Sequence, residues 1–200
     1  MSKGFSAALL AGGRSTRMGE DKAFLSFGEP PIPLWKHQLL TLGQLKPDQL
    51  LLSQNADQDF GSPEGVGMVV DDRGDCGPLG GLASCLRRAT SPRVLVLAVD
   101  LPYMTVDFLE TLLAAPGGVV LQDSTRGHYE PVVAVYTRDS LEIAEDHLRR
   151  GDLAMQAYIE ECVERGHLIP RAIADAERCL LRNLNRPEDL DPSRVFNPAE

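Results

Sequence analysis

Apolar runs and polar breaks alternate along this chain at two periods, and each period predicts a different kind of element. Ser6–Leu10 is a short, nearly continuous apolar run of strand length, which predicts a buried first strand. Leu34–Leu45 places its apolar residues at helical spacing. Gln49–Ser53 and Met68–Val70 predict short strands. A helix is expected to open near Pro78, because proline lacks the N–H that would go unpaired in a first turn, and to run through Leu82, Leu86 and Ala89. Arg93–Val99 is the clearest strand, apolar enough for burial on both faces of a parallel sheet. Thr105 is placed to cap a helix over Val106–Ala114, and Val119–Gln122 and Val132–Tyr136 predict two further strands. Helical segments follow at Ser140–Arg149 and Leu153–Arg165, parted by Gly151-Asp152. Cys179–Arg182 is expected to be a last short strand, and Pro187–Leu190 a helical turn. The tail, Asp191–Glu200, has two prolines and no periodicity, and is expected to fray.

Strands alternating with helices predict an α/β fold, a three-layer α/β/α sandwich around a mostly parallel, Rossmann-like sheet. The expected organisation is one domain over residues 1–190, with 191–200 as a flexible tail. Ligands of such sheets bind beyond the carboxyl ends of the strands. Gly12-Gly13 follows the first strand, Asp71-Asp72 the third and Asp100 the fourth, so all three are expected to converge on one pocket.

Composition narrows the partners. The chain has 200 residues, 43% of them hydrophobic, and a formal charge of −9. That charge argues against nucleic acid or an anionic membrane surface as the main partner. An anionic ligand must therefore be drawn in by local cations. The opening Met-Ser-Lys-Gly-Phe has no apolar leader region and no run approaches a membrane span, so a cytoplasmic protein is expected. Cys76, Cys85, Cys162 and Cys179 form no C-x-x-C pair and read as free thiols. His37, His128, His147 and His167 are scattered, with no zinc-like grouping.

The chemistry concentrates after the first strand, in Leu10-Ala-Gly-Gly-Arg-Ser-Thr-Arg-Met-Gly-Glu-Asp-Lys22. Gly12 and Gly13 allow a sharp turn and close approach to a ligand, and the N–H groups of such turns form anion-binding nests. Arg17 and Lys22 can neutralise phosphate charge, the first as a planar fork and the second as a point charge. The loop is neither a Walker A motif, since Gly13 precedes Arg14, nor a G-x-G-x-x-G fingerprint. A bare Gly-Gly more often ends a strand beside solvated surface cations, but the complete string is far rarer than its parts.

The complete string resembles the nucleotidyltransferase signature L-A-G-G-x-S-x-R-M-G-x-D-K, present without a mismatch, and in this form the molybdenum cofactor guanylyltransferase family (MobA). Asp71-Asp72, Gly77-Pro-Leu-Gly-Gly81, Asp100-Leu-Pro-Tyr103 and Asn183-Leu-Asn-Arg-Pro-Glu-Asp-Leu190 resemble later stretches of that family, in order, across nearly the whole chain. The resemblance implies transfer of GMP from GTP to the terminal phosphate of molybdopterin (or the molybdenum cofactor), with Mg2+ as cofactor and pyrophosphate as leaving group. It implies, further, contact with proteins that deliver the cofactor or accept it.

Residue roles follow from the same resemblance. Lys22, Arg17 and Asp100 form the catalytic set, and Lys22 contacts phosphate. Asp100 reads from its position as either a metal ligand or a turn aspartate, and the resemblance favours the metal. Leu10, Ala11, Gly12, Gly13, Pro78, Leu79 and Gly80 join Lys22, Asp72 and Asp100 in the nucleotide site, although Asp71 and Asp75 compete with Asp72. The family carries asparagine where this chain has Ser53, so either Ser53 or Asn55 takes that contact. Pro78-Leu79-Gly80 resembles the guanine-using branch, whereas cytidylyltransferases carry G-M-S-x-S there. Asn183 and Asn185 are implied at the acceptor site, and Glu130 is left out of it. Rival readings are a cytidylyltransferase for the same pterin, a sugar-phosphate nucleotidyltransferase, and a silent nucleotide-binding regulator.

Overall fold

The structure is a computed structural model, and it describes residues 4–12, 21–71 and 76–184. The chain runs through β1 (Ser6–Leu10), β2 (Ser26–Phe27), β3 (Ile32–Pro33), α1 (Leu34–Gln44), β4 (Gln49–Gln54) and β5 (Val66–Val70). It continues with α2 (Gly77–Arg88), β6 (Arg93–Ala98), α3 (Val106–Ala114), β7 (Val119–Asp123) and β8 (His128–Thr137). Then come α4 (Leu141–Arg150), α5 (Met155–Glu164) and β9 (Ile169–Ala172). Short 3-10 turns stand at Lys22–Phe24, Arg138–Ser140 and Asp175–Leu181.

Among the described residues, seven strands form one sheet in the order β5-β4-β1-β6-β8-β7-β9. β1 pairs in parallel with both β4 and β6, and β4 with β5. β8 runs against its neighbours β6 and β7, while β9 is parallel to β7. The sheet is thus mostly parallel, as the alternating pattern predicts.

Burial explains the sandwich. Every position of β1 is buried, and its side chains alternate between two cores. Ala7 and Leu9 join Leu95 and Leu97 of β6 against α1 and α3 on one face. Ala8 and Leu10 join Val94 and Val96 against α2, α4 and α5 on the other. A strand buried on both faces must be apolar at every step, which is why β1 and β6 read as continuous runs.

Helix ends also follow the sequence. The Thr105 hydroxyl accepts from the Phe108 N–H at 3.3 Å, a cap that contributes about 1 kcal/mol. Gly151 ends α4 at φ 73°, a left-handed conformation that suits glycine. Helix α5 begins at Met155, two residues after the expected Leu153.

Cys179–Arg182 is not a strand. Cys179–Leu181 closes the 3-10 turn Asp175–Leu181, and among the described residues the last strand is β9, which the pattern hid because Pro170 interrupts it. Proline cannot donate to a ladder and is tolerated on an edge, where β9 lies. With that edge taken, side chains hold the next segment. Glu177 Oε2 accepts from the Ala174 N–H at 3.0 Å, and Arg171 pairs with the Glu177 carboxylate. Leu180 and Leu181 pack as partly buried residues on the core. The small β2–β3 ladder and the Lys22–Phe24 turn also escape the pattern, being two or three residues long. The expected turn at 187–190 and the tail 191–200 lie outside the described residues. Among the described residues, no helix is long and apolar enough to cross a membrane.

Arg178 pins the same segment to the end of β7 through Asp123, with N–O distances of 3.2 and 3.3 Å. This guanidinium, with the Thr125 N–H, holds the Asp123 carboxyl down to about 2. A depressed carboxyl contributes stability that is complete above its ordinary value of about 3.9 and is lost as pH falls through about 2. Arg178→Ala should therefore raise the Asp123 pKa towards the ordinary range, and acid unfolding should begin at higher pH. Carboxyl-carbon NMR titration of parent and variant checks this; an Asp123 still titrating near 2 would assign the effect to the Thr125 N–H instead.

Candidate active site

The carboxyl ends of the parallel strands stay in register beyond the strands themselves. The Ala11 N–H donates to the Ser53 carbonyl at 3.0 Å, and the Val99 N–H to the Leu10 carbonyl at 3.0 Å. On the far side, the Asp71 N–H donates to the Gln54 carbonyl at 3.1 Å. These bonds carry Gly12, Asn55, Asp71 and Asp100 to one edge of the sheet, as the strand-end rule predicts.

Glycines line that edge because neighbours press on them. A Cβ on Gly12 would lie 2.9 Å from Asn55 Oδ1. On Gly80 it would run into the Asp71 carboxylate and lie 2.8 Å from Cys76 Cβ. On Gly81 it would lie 2.9 Å from Ser53 Oγ. Helix α2 thus opens tight against the ends of β4 and β5, with Pro78 in its first turn and exposed to solvent.

Lys22 comes from the other side. Asp21 Oδ1 accepts from the Ala23 N–H at 3.0 Å and starts the short turn whose first residue is Lys22. Lys22 Nζ then stands 3.8 Å from Asp100 Oδ2, with both side chains about a quarter exposed. Burial pushes the Asp100 carboxyl above its usual value, against the opposing pull of Lys22. That distance is longer than a close charge-assisted hydrogen bond.

The loop bearing Asp100 is held from behind. The Gln38 amide donates to the Leu101 carbonyl at 2.5 Å in a buried contact, and the Tyr103 ring meets Phe27 edge-on at 5.7 Å. The Asp100 carbonyl itself accepts from the Leu184 N–H at 2.9 Å. Leu184 is fully buried, so exposed Asn183 is fixed one residue from the Asp100 loop.

The structure therefore brings together Gly12, Lys22, Asn55, Gly80, Asp100 and Asn183. Leu10, Ala11 and Leu79 are buried, and can offer a ligand only backbone groups. Ser53 is 2% exposed with its hydroxyl against Gly81, whereas Asn55 is partly exposed beside Gly12. Gly13, Arg17, Asp72 and Asn185 lie outside the described residues. Half-buried Glu130 has its carboxyl pushed up by burial and by Asp123. Burial also pushes the Cys85 thiol, behind Ser53, up to about 12, too high to supply a thiolate. One contributor that no motif marks is Gln58, which bonds to both Ala11 and Asp21.

A strand-end edge with a lysine, an aspartate and crowded glycines fits phosphate chemistry on many α/β folds. Sequence comparison separates them: the MobA-like NTP transferase domain matches residues 7–165. The chain belongs to that family. A protein of Opitutus terrae, named probable molybdenum cofactor guanylyltransferase, is 34% identical over 194 residues, covering 94% of this chain and 93% of that one. The molybdenum cofactor guanylyltransferase of Pseudomonas aeruginosa is 32% identical over 194 residues, covering 92% of each. Among solved structures, molybdopterin-guanine dinucleotide biosynthesis protein A of Archaeoglobus fulgidus superposes with a TM-score of 0.71 at 19% identity, covering 95% of this chain and 96% of that one. The 2-C-methyl-D-erythritol 4-phosphate cytidylyltransferase of Thermus thermophilus gives 0.67 at 16% identity, over 92% and 94%. These two likenesses show the shared fold. The family resemblance carried by residues 10–22 is confirmed, and with it membership among nucleotidyltransferases.

In this MobA-like chain the crowding at Gly80 predicts a large local cost. Gly80→Ala should destabilise the protein by about 1–3 kcal/mol, as overpacking does. For a chain of this size each kcal/mol is a fall of about 2–4 °C in Tm. Gly43→Ala, in the exposed face of α1 with nothing within 4 Å of the added methyl, should instead raise Tm slightly. Thermal melts of the three proteins check this, and a Gly80→Ala variant melting with the parent would show that Asp71 and Cys76 yield freely.

Proposed function

We propose that this chain transfers GMP from GTP to the terminal phosphate of molybdopterin, forming the guanine dinucleotide cofactor and releasing pyrophosphate. The observation that carries the reading is Lys22 facing Asp100 across the strand ends of a MobA-like fold. Relatives named as molybdenum cofactor guanylyltransferases, matched over more than nine-tenths of this chain, support the substrates. Residues 1–190 act as one nucleotidyltransferase unit in this reading. The proposed setting is the cytoplasm, in keeping with thiols that are all free.

In the reaction an oxygen of the acceptor phosphate bonds to the α-phosphorus of GTP, and the bond from that phosphorus to the bridging oxygen breaks. The acceptor oxygen is already ionised, so no side chain has to remove a proton. The protein's task is to hold two anions together. Backbone at Ala11 and Gly12 meets the nucleotide, and Asn55 rather than buried Ser53 reaches it. The Pro78–Gly80 opening of α2 reads the base. Lys22 neutralises charge on the phosphates, with Arg17 as its partner from the same signature. Asn183 faces the pterin with uncharged amide groups, and Asn185 follows it in sequence.

Mg2+ fits the donor set. Among the described residues no three His, Cys, Asp or Glu side chains group as a metal cluster, but magnesium takes as few as one or two carboxylates beside phosphate and water. Asp100 offers a hard oxygen at the rim, in a site where burial already disfavours an uncompensated charge. Asp72 would be its partner at the ribose or the metal. Bound magnesium supplies positive charge at the triphosphate.

Two measurements test the reading. Equilibrium binding with magnesium should rank GTP above CTP, ATP and UTP; equal affinities, or a preference for CTP, would overturn the guanine assignment and favour a cytidylyltransferase. Asp100→Asn keeps shape but removes charge. It should slow GTP-dependent pyrophosphate release with molybdopterin by roughly 100-fold or more while weakening GTP binding far less. Near-parental turnover across a magnesium titration would show that Asp100 is only a turn residue.

A further inference from the structure

Gln58 gathers four hydrogen bonds at one place. Its own N–H donates to the Asn55 carbonyl at 3.1 Å, closing a turn just after β4. Its Oε1 accepts from the Asn55 N–H at 2.8 Å, which fixes which end of the amide points where. Nε2 is thereby aimed at two acceptors, the Ala11 carbonyl at 3.0 Å and Asp21 Oδ2 at 2.6 Å. Both amide hydrogens are spent. Ala11 and Asp21 bracket the signature segment in sequence, one at the end of β1 and the other immediately before Lys22.

The Asp21 carboxylate is shared. One oxygen takes the bond from Gln58 and the other caps the turn that begins at Lys22. Rotation of that carboxylate would break the cap, and the turn sets where Lys22 Nζ stands relative to Asp100. We propose that Gln58 is a positioning residue for triphosphate binding: it staples the end of β1 to the Asp21 cap and so holds Lys22 at the phosphates. The inference rests on the reading of Lys22 as a phosphate ligand.

Gln58→Glu tests it with almost no change in shape. One oxygen of the substituted side chain can still accept from the Asn55 N–H, but the other would face the Ala11 carbonyl and the Asp21 carboxylate, acceptor against acceptor. GTP binding should weaken roughly tenfold, the effect of losing a charge-assisted bond that is worth about 1.4 kcal/mol here. The same change in a Lys22→Ala background should cost less than about twofold, because the residue being positioned is gone. Adding Asp21→Asn to Gln58→Glu restores a donor opposite the new carboxylate and keeps the cap oxygen, so affinity should return to within about threefold of the parent.

Parental GTP affinity in Gln58→Glu would overturn the staple. So would an equal loss in both backgrounds, which marks Gln58 as merely structural. If Lys22→Ala by itself left GTP affinity unchanged, the phosphate reading of Lys22 would fall first and take this inference with it. The two failures are thus distinguishable, and both are read by titration calorimetry without turnover.

Discussion

The site depends on β1 being hydrogen-bonded on both sides for longer than it is a strand. Its pairing with β4 and β6 runs through Leu10, and single backbone bonds from Ala11 and Val99 then extend each ladder by a step. A parallel pair has no hairpin to fix its ends, so only register keeps neighbouring termini level. Here that register is held by side chains buried on both faces, where a slip of one residue would exchange the two cores. Gly12, Asn55, Asp71 and Asp100, from distant parts of the chain, therefore meet at one edge.

Close packing is the second condition. Gly12, Gly80 and Gly81 face the polar side chains of Asn55, Asp71 and Ser53 at the ends of β4 and β5, which leaves room for backbone but none for a Cβ. Lys22 is managed in the opposite way, on a three-residue turn outside the sheet. One wall of the site is thus close-packed backbone, and the other is the Lys22 side chain, paired with Asp100.

Much of this was legible in the sequence because burial leaves a mark. β1, β6, α1, α2 and α3 read correctly since continuous apolar runs and helical spacing report directly on which faces are covered. Thr105 and Gly151 announced their helix ends by chemistry. What escaped reading lacked such marks. β9 is interrupted by Pro170, and the stretch around Cys179 is apolar for the sake of two partly buried leucines. The choice between Ser53 and Asn55 is one of facing, which the strand pattern alone leaves open until α2 is seen to cover Ser53. Gln58 gave no signal because its role lies in three bonds from one amide, to Asn55, Ala11 and Asp21.

The reversal of β8 divides the molecule's working edge into two kinds of wall. On the β1 side the edge is made of strand exits, each leading into a long crossover that must pack again before the chain returns. On the β8 side it includes an entrance as well as exits: Asp123 of β7 and His128 of β8 are joined by the four residues 124–127, and β9 leaves beyond them at Ala172. A hairpin turn can lengthen or shorten without disturbing any crossover. A change of length at 124–127 would therefore leave the β1 side of the edge, with Gly12, Lys22 and Asp100, held by its own topology.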